Sequence, residues 1–482
     1  MSSAIMLPHE LQSLLGLRRP QSILIRGAPG SGKTTLALAL LEGFSGRRFF
    51  ATFRVSKDDL YEQFPWLGSS DGNSVGVMDL ATEGGTTDGT ARSSPDGPSP
   101  PGEPPFPGPL REIWATSSPQ RPTILAIDSW EAFVEANSVP GERSASDATL
   151  RGRAILSRLT HGPATTVLIS EHEGPTPLDY LVNSVLDLRT ESFDDRAERW
   201  LYLTKIRGVR ILNRGYPFTL EGSRFTCVTP VHAELRARLP RGEPAPDPQP
   251  GHLWPGSAQF AAHFGELPLN RIMIWEADEG VPLETIRLLF APIVSQVVRD
   301  GGRIFHLLPF GLPPDDVWSF YSSVVPIEEF ARQVRIQTSV YPRPDSGVPE
   351  SVIAPMRNAS GAAGPRNPAA HRFIREGGKP GAPNLMVIWT AGLHPQEPGD
   401  PPPYTPDNLP AIATAYFGAA PVHEIFIGSP GDPFLGSLRP MAAIRIRLRA
   451  RRGRVFLYGE SPMTPPLLLV VEGDGYRLLP MV

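Results

Sequence analysis

With 482 residues the chain is too long for one ordinary core, and two domains are the natural expectation. A net charge of −4 and a pI of about 6.2 argue against nucleic acid as the main partner, which calls for a basic domain. The single cysteine, Cys227, excludes an internal disulfide framework. Met1 to Pro20 lack a charged-then-apolar signal pattern, and no apolar run approaches the roughly 20 residues that span a bilayer. A soluble, cytoplasmic chain without a membrane partner is expected.

In chain order, Ser22 to Arg26 reads as a short apolar strand and Thr34 to Phe44 as a helix. Arg48 to Val55 is the next strand, Lys57 to Phe64 a helix, and Thr123 to Ile127 a strand. Ala148 to Leu159 reads as a helix and Thr166 to Ser170 as a strand. This alternation predicts an α/β fold with a parallel sheet covered by helices. From Trp200 onward strands separated by turns predict an antiparallel extension. The 56 prolines are more than twice the usual share of about 5 %. They concentrate with Gly and Ser at 84–109, 241–256, 342–383 and 395–410, stretches that read as linkers or surface insertions.

Gly27, Ala28, Pro29, Gly30, Ser31, Gly32, Lys33, Thr34 and Thr35 fit the phosphate-binding spelling G-x-x-x-x-G-K-T between a strand and a helix. The glycines let backbone N–H groups turn toward phosphate oxygens, and the helix directs its positive end at the same anion. Lys33 then meets the β- and γ-phosphates, and the Thr34 hydroxyl meets Mg²⁺. The strand Ile124 to Ile127 ends in Asp128, which places a carboxylate beside the loop to steady the Mg²⁺ shell. ATP or a related purine nucleoside triphosphate with Mg²⁺ is therefore the expected cofactor pair. ATP and GTP are not distinguished.

A weak internal repeat divides the chain near residue 245. Ser22 to Ile25 resembles Arg271 to Ile274, and Val55 to Leu60 resembles Leu312 to Val317. Leu203 to Gly208 resembles Leu448 to Gly453, and Glu221 to Phe225 resembles Glu472 to Tyr476. The expected domains are 1–240, a Pro-rich linker 241–256, and 257–482. In the second copy Glu276 to Pro282 stands where the loop should be, with Pro282 in the place of the lysine, and Leu385 to Ile388 leads into Trp389 instead of Asp. Its three carboxylates would repel phosphate. Arg445, Arg447, Arg449 and Arg451 alternate with apolar residues, a strand with one arginine face. Nucleic acid, an acidic partner and a charged edge that discourages strand pairing all fit that face.

The loop, the strand ending in Asp128, and Leu203-Thr204-Lys205-Ile206-Arg207-Gly208 together resemble the RecA/KaiC-like ATPases. The run Phe49 to Trp66, with Arg54-Val55-Ser56 and Gln63-Phe64-Pro65-Trp66, resembles more specifically the archaeal gas-vesicle regulatory protein D group. The resemblance implies two tandem RecA/KaiC-like domains, the second degenerate. It also implies that Lys205 and Arg207 contact the triphosphate of a neighbouring subunit, hence a homo-oligomer. The family's acidic pair after the second strand is missing, because Arg54-Val55-Ser56-Lys57 occupies that place. Glu171 and Glu173, assigned to another edge of the sheet, are the remaining candidates for orienting water. Two functions follow: a regulatory ATPase of slow turnover, or a non-catalytic nucleotide-binding regulator that holds a protein partner such as a transcriptional activator.

Overall fold

The computed structural model describes residues 7–68, 75–80, 108–136, 145–228, 242–244, 249, 251–308, 312–338, 342–349, 352–355, 379, 381–390, 422–472 and 475–482. Of the Pro-rich stretches, 84–107, 356–378 and 395–410 fall outside these residues. The chain divides into two compact units, Met1–Thr229 with Met481–Val482, and Pro230–Pro480.

The first unit is one sheet of β1 (Ser22–Gly27), β2 (Arg47–Thr52), β3 (Gly76–Asp79), β4 (Thr123–Asp128), β5 (Thr165–Ile169), β6 (Ser184–Phe193), β7 (Arg196–Ile206), β8 (Gly215–Thr219) and β9 (Thr226–Cys227). Their order is β3-β2-β4-β5-β1-β6-β7-β8-β9. The pairings from β3 to β6 are parallel and those from β6 to β9 antiparallel. The helices are α1 (His9–Leu15), α2 (Lys33–Glu42), α3 (Lys57–Gln63), α4 (Gly108–Ala115), α5 (Trp130–Ala136), α6 (Ala145–Thr160) and α7 (Leu178–Leu181). β1 is buried along its whole length, as a parallel strand covered on both faces must be. Its alternate side chains feed two cores. Ile23 and Ile25 pack with Leu36 to Leu41 of α2, whereas Leu24 packs with Trp130, Phe133, Ile155 and Leu156 on the other face. Because α2 is apolar nearly all round, it sits wholly inside, from Leu36 to Leu41. Ser56 caps α3 by accepting from the Asp59 N–H at 3.1 Å.

The second unit begins with a small pair, β10 (His252–Leu253) and β11 (Leu267–Pro268), around α8 (Ala258–Phe264). The described part of 241–256 is tied into it: the Trp254 Nε1–H donates to the Glu243 carbonyl at 3.0 Å, and Leu253 and Trp254 are buried. Its main sheet contains β12 (Ile272–Ala277), β13 (Arg303–Leu307), β14 (Val334–Thr338), β15 (Ile353–Pro355), β16 (Asn384–Trp389), β17 (Val422–Gly428), β18 (Ala442–Arg451), β19 (Arg454–Ser461), β20 (Leu467–Glu472) and β21 (Gly475–Pro480). Helices α9 (Leu283–Arg299), α10 (Pro314–Val324) and α11 (Ile327–Gln333) accompany it. The strand order is β15-β14-β13-β16-β17-β12-β18-β19-β20-β21, parallel up to β18 and antiparallel beyond.

The two orders coincide: β14, β13, β16, β17, β12, β18, β19 and β20 take the places of β3, β2, β4, β5, β1, β6, β7 and β8. The chain is thus two tandem α/β domains of one winding. One sequence match does not survive this comparison. Leu203 to Gly208 closes β7, whereas Leu448 to Gly453 closes β18, whose counterpart is β6. Both strings end a charged strand at a glycine of positive φ, 88° at Gly208 and 73° at Gly453, which accounts for their likeness.

Candidate nucleotide site and its counterpart

In the first unit β1 delivers residues 28–32 to the start of α2 at the carboxyl edge of the sheet. Gly27, Gly30 and Gly32 have φ of 152°, 72° and 94°, values that side-chain-bearing residues rarely adopt. A Cβ on Gly27 would lie 2.4 Å from the Leu188 carbonyl oxygen and 2.7 Å from Ser31 Oγ, so only glycine fits beneath β6. Ser31 is 2 % exposed, and among the described residues its hydroxyl has no hydrogen-bond partner. A buried, unpaired hydroxyl inside a loop of this curvature is a cost that a polar ligand would offset.

Lys33 is the first residue of α2, and its Nζ donates to the Gly27 and Ala28 carbonyls at 2.7 and 2.9 Å. Burial lowers its pKa, against the opposing charges of Asp128, Glu171, Glu131 and Glu173. The Thr34 hydroxyl donates to Asp128 Oδ2 at 2.8 Å. Burial holds the Asp128 carboxyl above the usual carboxylate range, against the pull of the Thr34 hydrogen bond and of Lys33. Thr34, Asp128 and Lys33 therefore converge as the sequence pattern requires, and the residues present fit a phosphate chain with its cation.

Glu171 follows β5, which lies between β4 and β1, so the expectation of another sheet edge is corrected: this carboxylate stands in the middle of the site. Its Oε1 accepts from Ser129 Oγ at 2.7 Å and pairs with Arg54 Nη1 at 3.0 Å. Arg54 stands after β2, where RecA/KaiC-like ATPases carry an acidic pair, and there it meets an acid that follows β5. Glu173 is exposed and acts on Lys33 through its charge. Glu131 escaped the sequence reading. It sits in the first turn of α5 and accepts from Ser170 Oγ at 2.7 Å and from the Glu171 N–H at 3.1 Å, fixing the segment after β5. The one signal for it was its place two residues after the helix-capping Ser129.

Lys205 and Arg207 lie elsewhere. Lys205 pairs with Val185, which in turn pairs with Leu24 early in β1, so both cations stand toward the amino edge of the sheet. Lys205 Nζ donates to the Asp179 and Val182 carbonyls at 2.7 and 2.6 Å, and Arg207 is exposed. The structure does not bring them to the loop of their own chain.

No family model matches the chain. Protein GvpD2 of Halobacterium salinarum is 25 % identical over 496 aligned residues, covering 97 % of this chain and 94 % of that protein. Protein GvpD1 of the same organism is 28 % identical over 308 residues, 63 % of this chain and 53 % of that protein. The chain is homologous to the GvpD proteins. The match to GvpD2 takes in both units, and the resemblance to the gas-vesicle protein D group holds.

In this GvpD homologue the equivalent edge of the second unit is built differently. Residues 278–282 connect β12 to α9 in a segment as long as 28–32. The element ends set Pro282 opposite Gly32, Leu283 opposite Lys33 and Glu284 opposite Thr34, which moves the expected Pro282–Lys33 correspondence by one residue. Trp389 ends β16 as Asp128 ends β4, and its Nε1–H donates to His306 Nε2 at 2.9 Å. Since an indole N–H can only donate, the neutral His306 carries its proton on Nδ1 and donates to the Tyr321 hydroxyl at 2.7 Å. Burial, and secondarily Arg287, pushes His306 down to about 3, which keeps it neutral.

Two of the three carboxylates of this edge, Glu276 and Asp278, are already engaged. Glu276 accepts from Arg439 Nε at 2.7 Å and Arg447 Nη1 at 3.1 Å, and Asp278 accepts from Arg449 Nε at 2.6 Å. Glu460 pairs with Arg445 and, at 3.9 Å, with Arg447. The arginine face of β18 is therefore not a charged edge, because β18 runs between β12 and β19 inside the sheet. Glu276 and Asp278 are its counter-ions.

Proposed function

We propose that the first unit binds ATP with Mg²⁺ and that the chain is a gas-vesicle-type regulator whose nucleotide state governs its assembly or its hold on a protein partner. The observation that carries this reading is the loop 27–35, where three glycines of positive φ, a buried Ser31 hydroxyl without a partner among the described residues, and Lys33 converge on one turn. Thr34 and Asp128 would hold the Mg²⁺, which offsets phosphate charge when bound. Gly27 to Thr35 would line the phosphates, and Lys33 supplies the fixed cation. The two tandem sheets of one winding support the RecA/KaiC-like reading, and the similarity to GvpD2 supports the regulatory role.

Slow turnover belongs to the same proposal. The best-placed general base, Glu171, has its Oε1 engaged by Ser129 and by Arg54, and Glu173 lies out in solvent. Lys205 and Arg207, away from their own loop, are available to a neighbouring subunit in a homo-oligomer. The partly occupied Glu171 also favours a second reading, a regulator that binds nucleotide without hydrolysing it. Among the described residues no helix is long and apolar enough to cross a membrane.

Steady-state ATP turnover by the purified chain should lie below about 1 s⁻¹, the low end for enzymes. Replacing Glu171 with Gln should abolish whatever turnover exists. A rate of tens per second, or one untouched in Glu171→Gln, would contradict these roles.

A further inference from the structure

The β6–β7 hairpin runs past the end of β1. β1 pairs with β6 as far as Gly27 opposite Leu188, whereas β6 and β7 stay paired up to Phe193 and Arg196. This overhang stands beside the loop 28–32, with the Leu188 carbonyl packed close against Gly27. From it Arg199, opposite Thr190, reaches the loop and donates from Nη1 to the Gly30 carbonyl at 2.8 Å.

Arg199 differs from the other arginines nearby. Arg26 and Arg189 pair with aspartates and Arg54 with a glutamate, all within 3.0 Å. Among the described residues no carboxylate meets Arg199, and burial lowers its pKa with nothing opposing it. A guanidinium has five N–H donors, and the Gly30 carbonyl takes one of them. A half-buried positive charge without a counter-ion thus rests on the tip of a loop shaped for anions. Lys33 holds the start of the same loop, at the Gly27 and Ala28 carbonyls.

Resting on the nucleotide reading above, we propose that Arg199 is a second cation of the site, supplied by the chain's own β7, that contacts the terminal phosphate of a nucleoside triphosphate and sets the preference for triphosphate over diphosphate. Its planar fork suits two phosphate oxygens, and its donors are already at the loop. Lys205 and Arg207 do not reach this position within their own chain.

The test is equilibrium binding of fluorescent ATP and ADP analogues, with Mg²⁺, to the unaltered chain, Arg199→Ala and Arg199→Lys. A charge-assisted contact corresponds to about ten- to hundred-fold in affinity. Arg199→Ala should lose that factor for the triphosphate and at most a few-fold for the diphosphate. Arg199→Lys should recover part of it, because the charge returns without the fork. The melting temperature without nucleotide should stay within a degree or two, showing that the loop survives. Unchanged triphosphate affinity in a folded Arg199→Ala chain overturns the proposal. So does an equal loss for both nucleotides, which would make Arg199 a support of the loop alone. If the unaltered chain bound neither analogue, the nucleotide reading would fall and this inference with it.

Discussion

The carboxyl edges of the two sheets stand on the same frame and treat charge in opposite ways. In the first unit Lys33 and Arg199 rest on backbone carbonyls of the loop, and the Ser31 hydroxyl is buried without a partner. In the second, Glu276 and Asp278 are saturated by Arg439, Arg447 and Arg449, and Trp389 closes onto a neutral His306. A strand–loop–helix edge can therefore be kept while its charges are rearranged into an internal ion-pair cluster. What decides between the two is whether the cations have carboxylates of their own. On the proposed reading one edge is completed by a ligand, whereas Glu276 and Asp278 of the other already have cations of their own.

The sharpest way to break this comparison is to reopen the second edge. Glu276 has 3 % side-chain exposure, and its removal leaves Arg439 and Arg447 without their main counter-ion. Glu276→Ala should cost about 2–3 kcal/mol of stability, at or below the lower end of the range of about 3–5 kcal/mol for stranding a buried ion partner, since Arg439 remains partly hydrated. Urea unfolding of the full chain measures it. A change below about 0.5 kcal/mol would mean that the cluster is ornamental and that packing alone holds this edge.

A smaller effect sharpens the first edge. Burial raises the pKa of Asp128 in the folded state, so the folded chain holds that proton more tightly than the unfolded chain. As pH rises above the ordinary carboxylate range, the unfolded state ionises first and the native state loses stability by linkage. Asp128→Asn lacks this loss. Its melting temperature without ligand should equal that of the unaltered chain in acid and exceed it by a few degrees at neutral pH. Nucleotide binding by the same variant should no longer respond to Mg²⁺. A variant less stable at neutral pH, or one with intact Mg²⁺ dependence, would remove Asp128 from its role.

Much of the first unit was legible from residues alone, because the phosphate-loop spelling fixes a strand before it and a helix after it. Asp128 was found by the same logic, as the polar end of an apolar strand. Glu131 and Arg199 were not, since each depends on where a distant segment lands: the segment after β5 for one, the overhanging hairpin for the other. Glu171 was named, but its place in the middle of the site follows from β5 lying between β4 and β1, an order that no local pattern encodes. The repeat was recognised from short strings, one of which set β7 against β18. The arginine strand was misplaced because period-two alternation reports a two-faced strand and says nothing of its neighbours. Its counter-ions come from residues 276–278, far away in sequence.

The central proposal is that the two units, alike in fold, differ in function: the first binds a nucleotide and the second does not. Isothermal titration of the full chain with a slowly hydrolysed ATP analogue and Mg²⁺ tests it directly. One site per chain is expected, and none in Lys33→Ala, whose fold should persist because its side chain faces the loop carbonyls and not a core. Two sites per chain, or one that survives Lys33→Ala, would contradict it.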